Sequence, residues 1–149
     1  MITRTSTAQW LGTIKEGKGT MKVGRAWEGS YSFPSRFEDG AGTNPEELLG
    51  AAHAGCFSMA LSGALGRNGF TPNRISTTAK VSVDKLEAGF RITRIVLATE
   101  CEVPGIDDAK FQEIAEGAKK GCPVSVALAG TTIELDARLV QSSAAMPTA

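Results

Sequence analysis

Three cysteines give this 149-residue sequence its widest choice of chemistry, because a thiolate is a nucleophile and oxidises reversibly. Cys56 lies in an apolar stretch, with His53 three residues before it and mostly Gly and Ala around it. At helical spacing His53 falls on an adjacent face, and the small residues leave space beside the sulfur. A free cysteine also packs well inside a protein core, so position alone leaves both interpretations open.

The other two cysteines lie in different settings. Cys122 precedes Pro123 at a predicted helix N-terminus, where backbone amides and the helix dipole favour a thiolate, although a small residue there can simply cap the helix. Cys101 alternates along a predicted strand with the apolar residues Ile95, Leu97 and Val103. That alternation favours packing in the core.

A carboxylate and a guanidinium are the other groups that could act near a thiol. Glu46 precedes Cys56 on a predicted helix, about 80° round the axis and about three turns away, so the two side chains cannot touch directly. Arg36 lies just before that helix and could bridge them. One edge of a guanidinium can hold a carboxylate while another edge holds a thiolate or an oxyanion.

Composition excludes several other kinds of site. The chain has one histidine and no CxxC pair, so it lacks the ligands of the common Cys/His zinc sites, and we expect no metal. The 16 Lys and Arg residues balance 16 Asp and Glu residues, whereas a nucleic-acid binder is usually basic. No apolar leader segment follows Met1, so we expect a cytoplasmic protein with reduced cysteines.

The first predicted elements are strands. Residues 8–14 and 20–23 flank a glycine-bearing turn and predict a β-hairpin. Residues 31–33 predict a further short strand. Residues 34–42 predict a polar loop that leads into a helix.

A long apolar helix follows this loop. Asn44 is a typical N-cap, Pro45 suits the first helical position, and Glu47 is placed to complete a capping box. Residues 48–65 contain no Asp, Glu, Lys or Arg, over a length that could cross a membrane. Their many Gly, Ala and Ser residues, in a strand-rich chain, instead favour a core helix covered by protein on all sides. Residues 66–69 end it with Gly and Asn.

The second half returns to strands. Apolar and polar residues alternate over 75–83, and a return strand covers about 90–103. The remaining predicted elements are a helix from Asp107 or Asp108 to Gly121, a short helix over 124–129, a strand over 131–140 and a disordered tail over 141–149.

This order of elements predicts an α+β fold with antiparallel pairing, rather than a βαβ series, and a single domain over residues 1–140. A nearly all-apolar helix needs more cover than a few strands and two shorter helices can provide. We therefore predict a homodimer in which two such helices are buried together.

Two functions that do not use thiol chemistry are also consistent with parts of the sequence. Residues 66–69 match the G-x-x-G with which KH domains clamp a nucleic-acid backbone. The balanced charge and the strand predicted after this loop argue against that interpretation. The other alternative is a dimeric carrier of apolar ligands whose cysteines are incidental.

The sequences around Cys56 and Cys122 closely resemble the OsmC (osmotically inducible protein C) branch of the OsmC/Ohr peroxidases. The resemblance covers about residues 10–140 and is specific, because two separate cysteine motifs match together. Glu47, where the Ohr branch typically has glutamine, and His53 favour the OsmC branch. The stretches that carry the resemblance are residues 36–38, 42–61, 103–107 and 119–125.

The resemblance implies roles for individual residues. Cys56 matches the peroxidatic cysteine and Cys122 the resolving cysteine. Arg36 matches the arginine that lowers the pKa of the reactive thiol, and Glu46 the carboxylate that orients it. An apolar pocket at the subunit interface would bind the substrate, and the candidates for it are His53, Phe57 and Met59.

The fold implied by the resemblance is an intertwined homodimer in which antiparallel sheet wraps long central helices and the subunits share their active sites, without a cofactor. The implied activity is the thiol-dependent reduction of organic hydroperoxides to alcohols and, more weakly, of hydrogen peroxide. A Cys56 sulfenic acid would condense with Cys122 to a disulfide, which an external dithiol such as a lipoyl protein would reduce. The implied role is antioxidant defence under oxidative and osmotic stress.

Overall fold

The structure is a computed structural model that describes residues 1–141. The tail expected over 141–149 therefore lies, apart from Gln141, outside the described residues. The chain divides into two compact units: unit 1 is Met1–Leu48, and unit 2 begins at Leu49.

Unit 1 contains a three-stranded antiparallel sheet in the order β1-β2-β3. The predicted hairpin is confirmed as β1 (Ser6–Leu11) and β2 (Lys18–Val23), paired antiparallel from Ser6 with Val23 to Leu11 with Lys18. The third strand, β3 (Trp27–Tyr31), lies earlier than predicted and ends where the expected strand begins. Alternation along one short strand does not determine where it stops.

A short helix, α1 (Phe33–Phe37), replaces the end of the predicted strand and the start of the predicted loop, so both predictions are wrong there. Ser32 and Ser35 form a reciprocal capping box: the Ser32 backbone N–H donates to Ser35 Oγ at 2.8 Å, and the Ser35 N–H donates to Ser32 Oγ at 3.2 Å. Two otherwise unpaired backbone donors are thus satisfied at the helix start. This stabilises a single helical turn where turn-forming residues suggested a loop.

The long helix α2 (Pro45–Arg67) begins as predicted. The side chain of Asn44 accepts a hydrogen bond from the Glu47 backbone N–H at 2.8 Å, which confirms Asn44 as the cap. The capping box is not completed, because the Glu47 carboxylate accepts instead from the Thr43 hydroxyl at 2.9 Å. After the helix, Gly69 has φ +85°, a left-handed conformation that favours glycine.

One face of α2 is buried in unit 2 and the opposite face is exposed. The buried side chains recur every four residues and are His53, Phe57, Leu61 and Leu65. The exposed residues include Ala52, Gly55 and Met59. The helix is long and apolar enough to cross a membrane, judged by length and composition. Only 28% of its most apolar 18-residue window is buried. The described residues of one chain therefore do not cover the helix on all sides, as the sequence had predicted.

Unit 2 contains a second three-stranded sheet, in the order β4-β5-β6. The long antiparallel pair β4 (Arg74–Leu86) and β5 (Gly89–Glu102) is as predicted. The last strand, β6 (Thr132–Leu139), instead pairs parallel with β5. The connection includes α3 (Asp108–Gly121) and α4 (Pro123–Ala127), which supply the length that a parallel crossover needs. Helices and mixed sheet together make the α+β fold.

The core of unit 2 lies between its sheet and helices. It is formed by Phe57, Leu61 and Leu65 of α2 with Ile95, Leu97, Cys101, Phe111 and Ala115. Cys101 is fully buried, as predicted, and burial raises the pKa of its thiol above the ordinary value. Cys101 is therefore poorly placed to react.

Candidate functional site

The charged part of the candidate site lies in unit 1. Arg36 belongs to α1 and Glu46 to the first turn of α2. The guanidinium donates from Nε to both carboxylate oxygens at 3.1 Å and from Nη2 to Oε1 at 2.6 Å. The Glu46 side chain is only 9% exposed and that of Arg36 is 35% exposed. One edge of the guanidinium thus holds a nearly buried carboxylate, as a bidentate pair that fixes its plane.

An apolar pocket of about 260 Å³ lies beside this pair, also in unit 1. This pocket was not predicted, because residues 33–37 were expected to be strand and loop. The spacing of Phe33 and Phe37 was the available signal, since side chains four residues apart share a helix face. Their rings pack together with centroids 5.1 Å apart. The main lining residues are Trp10, Ile14, Tyr31, Phe33, Arg36 and Phe37.

The thiol part of the candidate site lies in unit 2. Cys56, near the middle of α2, and Cys122, between α3 and α4, are 66 positions apart in sequence, and their Sγ atoms are 3.0 Å apart. Both thiols are unbridged, Cys122 is fully buried, and Cys56 is partly exposed. The structure therefore brings these two cysteines within reach of each other and leaves Cys56 as the more accessible sulfur.

The two thiols differ in how strongly each holds its proton. Burial raises the pKa of Cys56, its hydrogen bond with Cys122 raises it further, and the backbone amide of Val124 acts in the opposite direction. Burial acts to raise the pKa of Cys122 as well, but the hydrogen bond with Cys56 opposes it. The backbone and hydroxyl of Ser125 and the backbone amide of Val124 also act to lower it. The pKa of Cys122 is therefore below its ordinary value. The groups of unit 2 thus favour placing the negative charge on Cys122.

His53 is fully buried one turn before Cys56, with its ring Nε2 2.7 Å from Ser125 Oγ. Burial lowers the pKa of the imidazole below its ordinary value, which favours the neutral form. Its Nδ1 is buried and has no hydrogen-bond partner among the described residues. Ser125 was not predicted as a site residue. Its position in the first turn of α4, just after Cys122, was the only signal in the sequence.

The two other predicted binding residues differ in their exposure. Phe57 is fully buried in the core of unit 2, whereas Met59 is 79% exposed. The loop over 66–69 leads from α2 to β4, not to the second helix of a KH clamp. Among residues 1–141, no group of three or more His, Cys, Asp or Glu side chains is placed to hold a metal ion.

Comparison with known proteins agrees with the sequence motifs. The profile of the family described as OsmC-like protein matches residues 38–136. The chain is 56% identical to Peroxiredoxin OsmC of Escherichia coli (strain K12) over 129 residues, which cover 85% of this chain and 90% of that protein. The chain belongs to the OsmC family. The resemblance noted from the two cysteine motifs is confirmed.

Solved structures of OsmC-like proteins share the fold of this OsmC family member. An OsmC-like protein from Mycoplasma pneumoniae superposes with a TM-score of 0.74 at 18% identity, covering 94% of this chain and 99% of that one. The organic hydroperoxide resistance protein OhrB of Bacillus subtilis superposes with a TM-score of 0.68 at 26% identity, covering 91% and 98%. The predicted OsmC-like α+β fold is therefore confirmed.

Proposed function

We propose that this OsmC family member is a cysteine-dependent peroxidase that reduces organic hydroperoxides to alcohols and, more weakly, hydrogen peroxide. The observation that carries the proposal is the 3.0 Å separation of the Cys56 and Cys122 sulfurs, with Cys56 partly exposed and Cys122 buried. The names of the relatives, a peroxiredoxin and an organic hydroperoxide resistance protein, support the same chemistry. The proposed setting is cytoplasmic antioxidant defence under oxidative or osmotic stress.

The proposed reaction begins at Cys56, because it is the more exposed of the two residues. Its thiolate attacks the terminal oxygen of R–O–O–H, the O–O bond breaks, and the alkoxide takes a proton and leaves as the alcohol. The hydroxyl group stays on sulfur as a sulfenic acid. The Cys122 thiolate then attacks that sulfur, the S–O bond breaks, and the hydroxide leaves as water. An external dithiol, such as a lipoyl protein, supplies the two electrons that reduce the disulfide.

Arg36 is proposed to supply the positive charge that this first step needs. The neighbours in unit 2 raise the pKa of Cys56, so a cation beside this sulfur would favour its thiolate. Arg36 is proposed to stabilise the Cys56 thiolate and then the departing alkoxide, with Glu46 holding the guanidinium in orientation. The apolar pocket beside Arg36 is proposed to bind the alkyl group of the hydroperoxide.

A homodimer with shared active sites is also proposed. The exposed face of α2 includes Ala52, Gly55 and Met59, and a second copy of the chain would cover it. Residues 1–140 are proposed to work as one OsmC-like domain. His53, Phe57 and Met59 stay candidates for binding residues.

The role of Glu46 gives a test of the proposal with a closely matched control. Glu46→Gln replaces the charged partner of Arg36 with a neutral amide, so the guanidinium is held less firmly. We expect kcat/KM for cumene hydroperoxide to fall about tenfold, equivalent to about 1.4 kcal/mol. The measurement is hydroperoxide consumption with dithiothreitol as the reductant, in which the unmodified protein consumes cumene hydroperoxide faster than hydrogen peroxide.

Glu47→Gln is the control, because it makes the same change one residue along, where the carboxylate contacts only the Thr43 hydroxyl among the described residues. This variant is expected to keep the activity of the unmodified protein. Equal losses in the two variants would show that the Arg36 pair has no special role. Failure of the unmodified protein to consume either peroxide would contradict the proposed function itself.

A further inference from the structure

The reaction proposed above gives no role to the hydrogen bond between His53 and Ser125, although it joins two side chains beside the sulfurs. His53 is the only histidine of the chain and is fully buried. Its Nε2 lies 2.7 Å from Ser125 Oγ, and Ser125 is itself only 6% exposed. A buried donor or acceptor that lacks a partner costs free energy, so one placement of the protons between His53 and Ser125 is favoured over the others.

Ser125 is hydrogen-bonded to His53 and follows the proposed resolving cysteine by three residues. Cys122 is the N-cap of α4 and Ser125 is the third residue of that helix. A side chain at the third helical position lies beside the N-cap residue. The backbone and hydroxyl of Ser125 both act to lower the pKa of the Cys122 thiol. Ser125 can therefore interact with the imidazole and with the sulfur through one oxygen.

A hydroxyl has a single proton, so only two arrangements are available. In the first, Ser125 donates its proton to His53 Nε2 and turns an oxygen lone pair towards Cys122. This leaves a buried Nδ1–H without an acceptor among the described residues. In the second, His53 donates from Nε2–H to Ser125 Oγ, and Ser125 donates to the Cys122 thiolate. Nδ1 then carries only a lone pair.

The second arrangement satisfies more of the buried groups. It gives the thiolate a charge-assisted hydrogen bond, which is about twice as strong as a neutral one. It also avoids a buried N–H without a partner, which folded proteins rarely contain. The first arrangement would place two electron-rich atoms, oxygen and thiolate sulfur, side by side.

We infer that His53 and Ser125 are positioning residues for Cys122. His53, as its Nε2–H tautomer, donates to the Ser125 hydroxyl, and that hydroxyl donates to the Cys122 thiolate. This prepares Cys122 to attack oxidised Cys56. The link to resolution rests on the proposed function. In that step the Cys122 thiolate forms the S–S bond with the sulfenic sulfur, and the hydroxide released from it leaves as water. The hydroperoxide is the only oxidant.

Among the described residues, Cys56 is the one titratable group that contributes to the shift in the pKa of Cys122. Cys56 on α2 is the titratable group bonded to Cys122. Of the lysines that precede Cys122 in α3, Lys119 pairs with Glu116 at 2.7 Å and Lys120 is exposed. A change in the titration of Cys122 on altering Ser125 is therefore attributable to the lost donor.

The tautomer of His53 is directly measurable, because a single histidine gives an unambiguous pair of imidazole nitrogen signals. Long-range proton–nitrogen NMR of the reduced, full-length protein at pH 7 is expected to show a protonated Nε2 and an unprotonated Nδ1. A protonated Nδ1 with a bare Nε2, or an imidazolium protonated at both nitrogens, would overturn the inference. This readout needs no hydroperoxide.

The effect on Cys122 is measured in a Cys56→Ser, Cys101→Ala background, in which Cys122 is the one remaining thiol, by following the ultraviolet absorbance of its thiolate against pH. Ser125→Ala and His53→Leu are each expected to raise the midpoint of this titration by about one pH unit. The thiolate population well below the midpoint would then be about tenfold smaller. His53→Gln, which keeps a side-chain N–H donor, is expected to restore part of the shift.

Ser58→Ala is the control, because it removes a partly buried hydroxyl from α2 that bonds to Thr77 at 2.8 Å. Its midpoint is expected to stay unchanged. An unchanged or lowered midpoint in Ser125→Ala would overturn the inference, as would a lowered midpoint in His53→Leu. If His53→Leu does not fold, Ser125→Ala and the NMR measurement decide. None of these measurements depends on peroxidase activity, so failure here is distinct from failure of the proposed function.

Discussion

Replacing Cys56 by serine is expected to abolish the consumption of organic hydroperoxide, with a loss on the order of 10³-fold or more. A serine hydroxyl stays protonated at neutral pH and cannot attack the O–O bond as a thiolate does. Cys122 is 3.0 Å away but fully buried, so it should not take over the first step. The measurement is the steady-state consumption of cumene hydroperoxide with dithiothreitol.

Cys101→Ala is the matched control for this prediction. It also removes one thiol, but from a fully buried position in the core of unit 2 whose thiol pKa is raised by burial. We expect this variant to lose some stability, because a buried side chain becomes smaller, and to keep its hydroperoxide consumption. Turnover by Cys56→Ser at the rate of the unmodified protein would disprove the proposed mechanism.

Replacing Cys122 by serine is expected to separate the first turnover from later ones. Cys56 should still react with one equivalent of hydroperoxide, because its thiol is retained and is partly exposed. No thiol then lies at 3.0 Å to condense with the sulfenic acid. With further equivalents, Cys56 is expected to proceed to the sulfinic acid, which thiols do not reduce.

Intact-mass measurement after stepwise addition of hydroperoxide follows this outcome. The Cys122→Ser protein should gain one oxygen atom and then two, while the Cys101→Ala protein forms a disulfide and gains none. Multiple turnover is expected to fall on the order of 10²-fold in Cys122→Ser, since each overoxidised molecule is lost from the cycle. Unchanged multiple turnover would remove Cys122 from its proposed role.

Much of the secondary structure was predictable because its signals are local. The Asn44 cap of α2 and the alternation along β4 are each decided by a few neighbouring residues, and both are present in the structure. The helix α1 was missed, because its serine capping box competes with turn signals from the same residue types. The direction of β6 was also missed. The pairing of β5 with β6 joins distant parts of the chain and leaves no local pattern.

Some features of the candidate site were likewise predictable from the sequence, and others were not. The ion pair between Arg36 and Glu46 was foreseeable, because both residues flank one helix start and have complementary charge. The 3.0 Å approach of Cys56 and Cys122 was not, because it depends on how α2 packs in unit 2. Ser125 was missed for a related reason. A serine in a first helical turn is ordinary until a buried histidine is found bonded to it.

The central claim is that Cys56 and Cys122 act together as a redox pair. Its most direct test is to treat the reduced protein with one equivalent of cumene hydroperoxide, count the free thiols and map any disulfide by mass spectrometry. Of the three thiols, two should be lost, and peptides containing Cys56 and Cys122 should be joined. Three remaining thiols would contradict the account and favour a carrier of apolar ligands. A disulfide that includes Cys101 would equally contradict it.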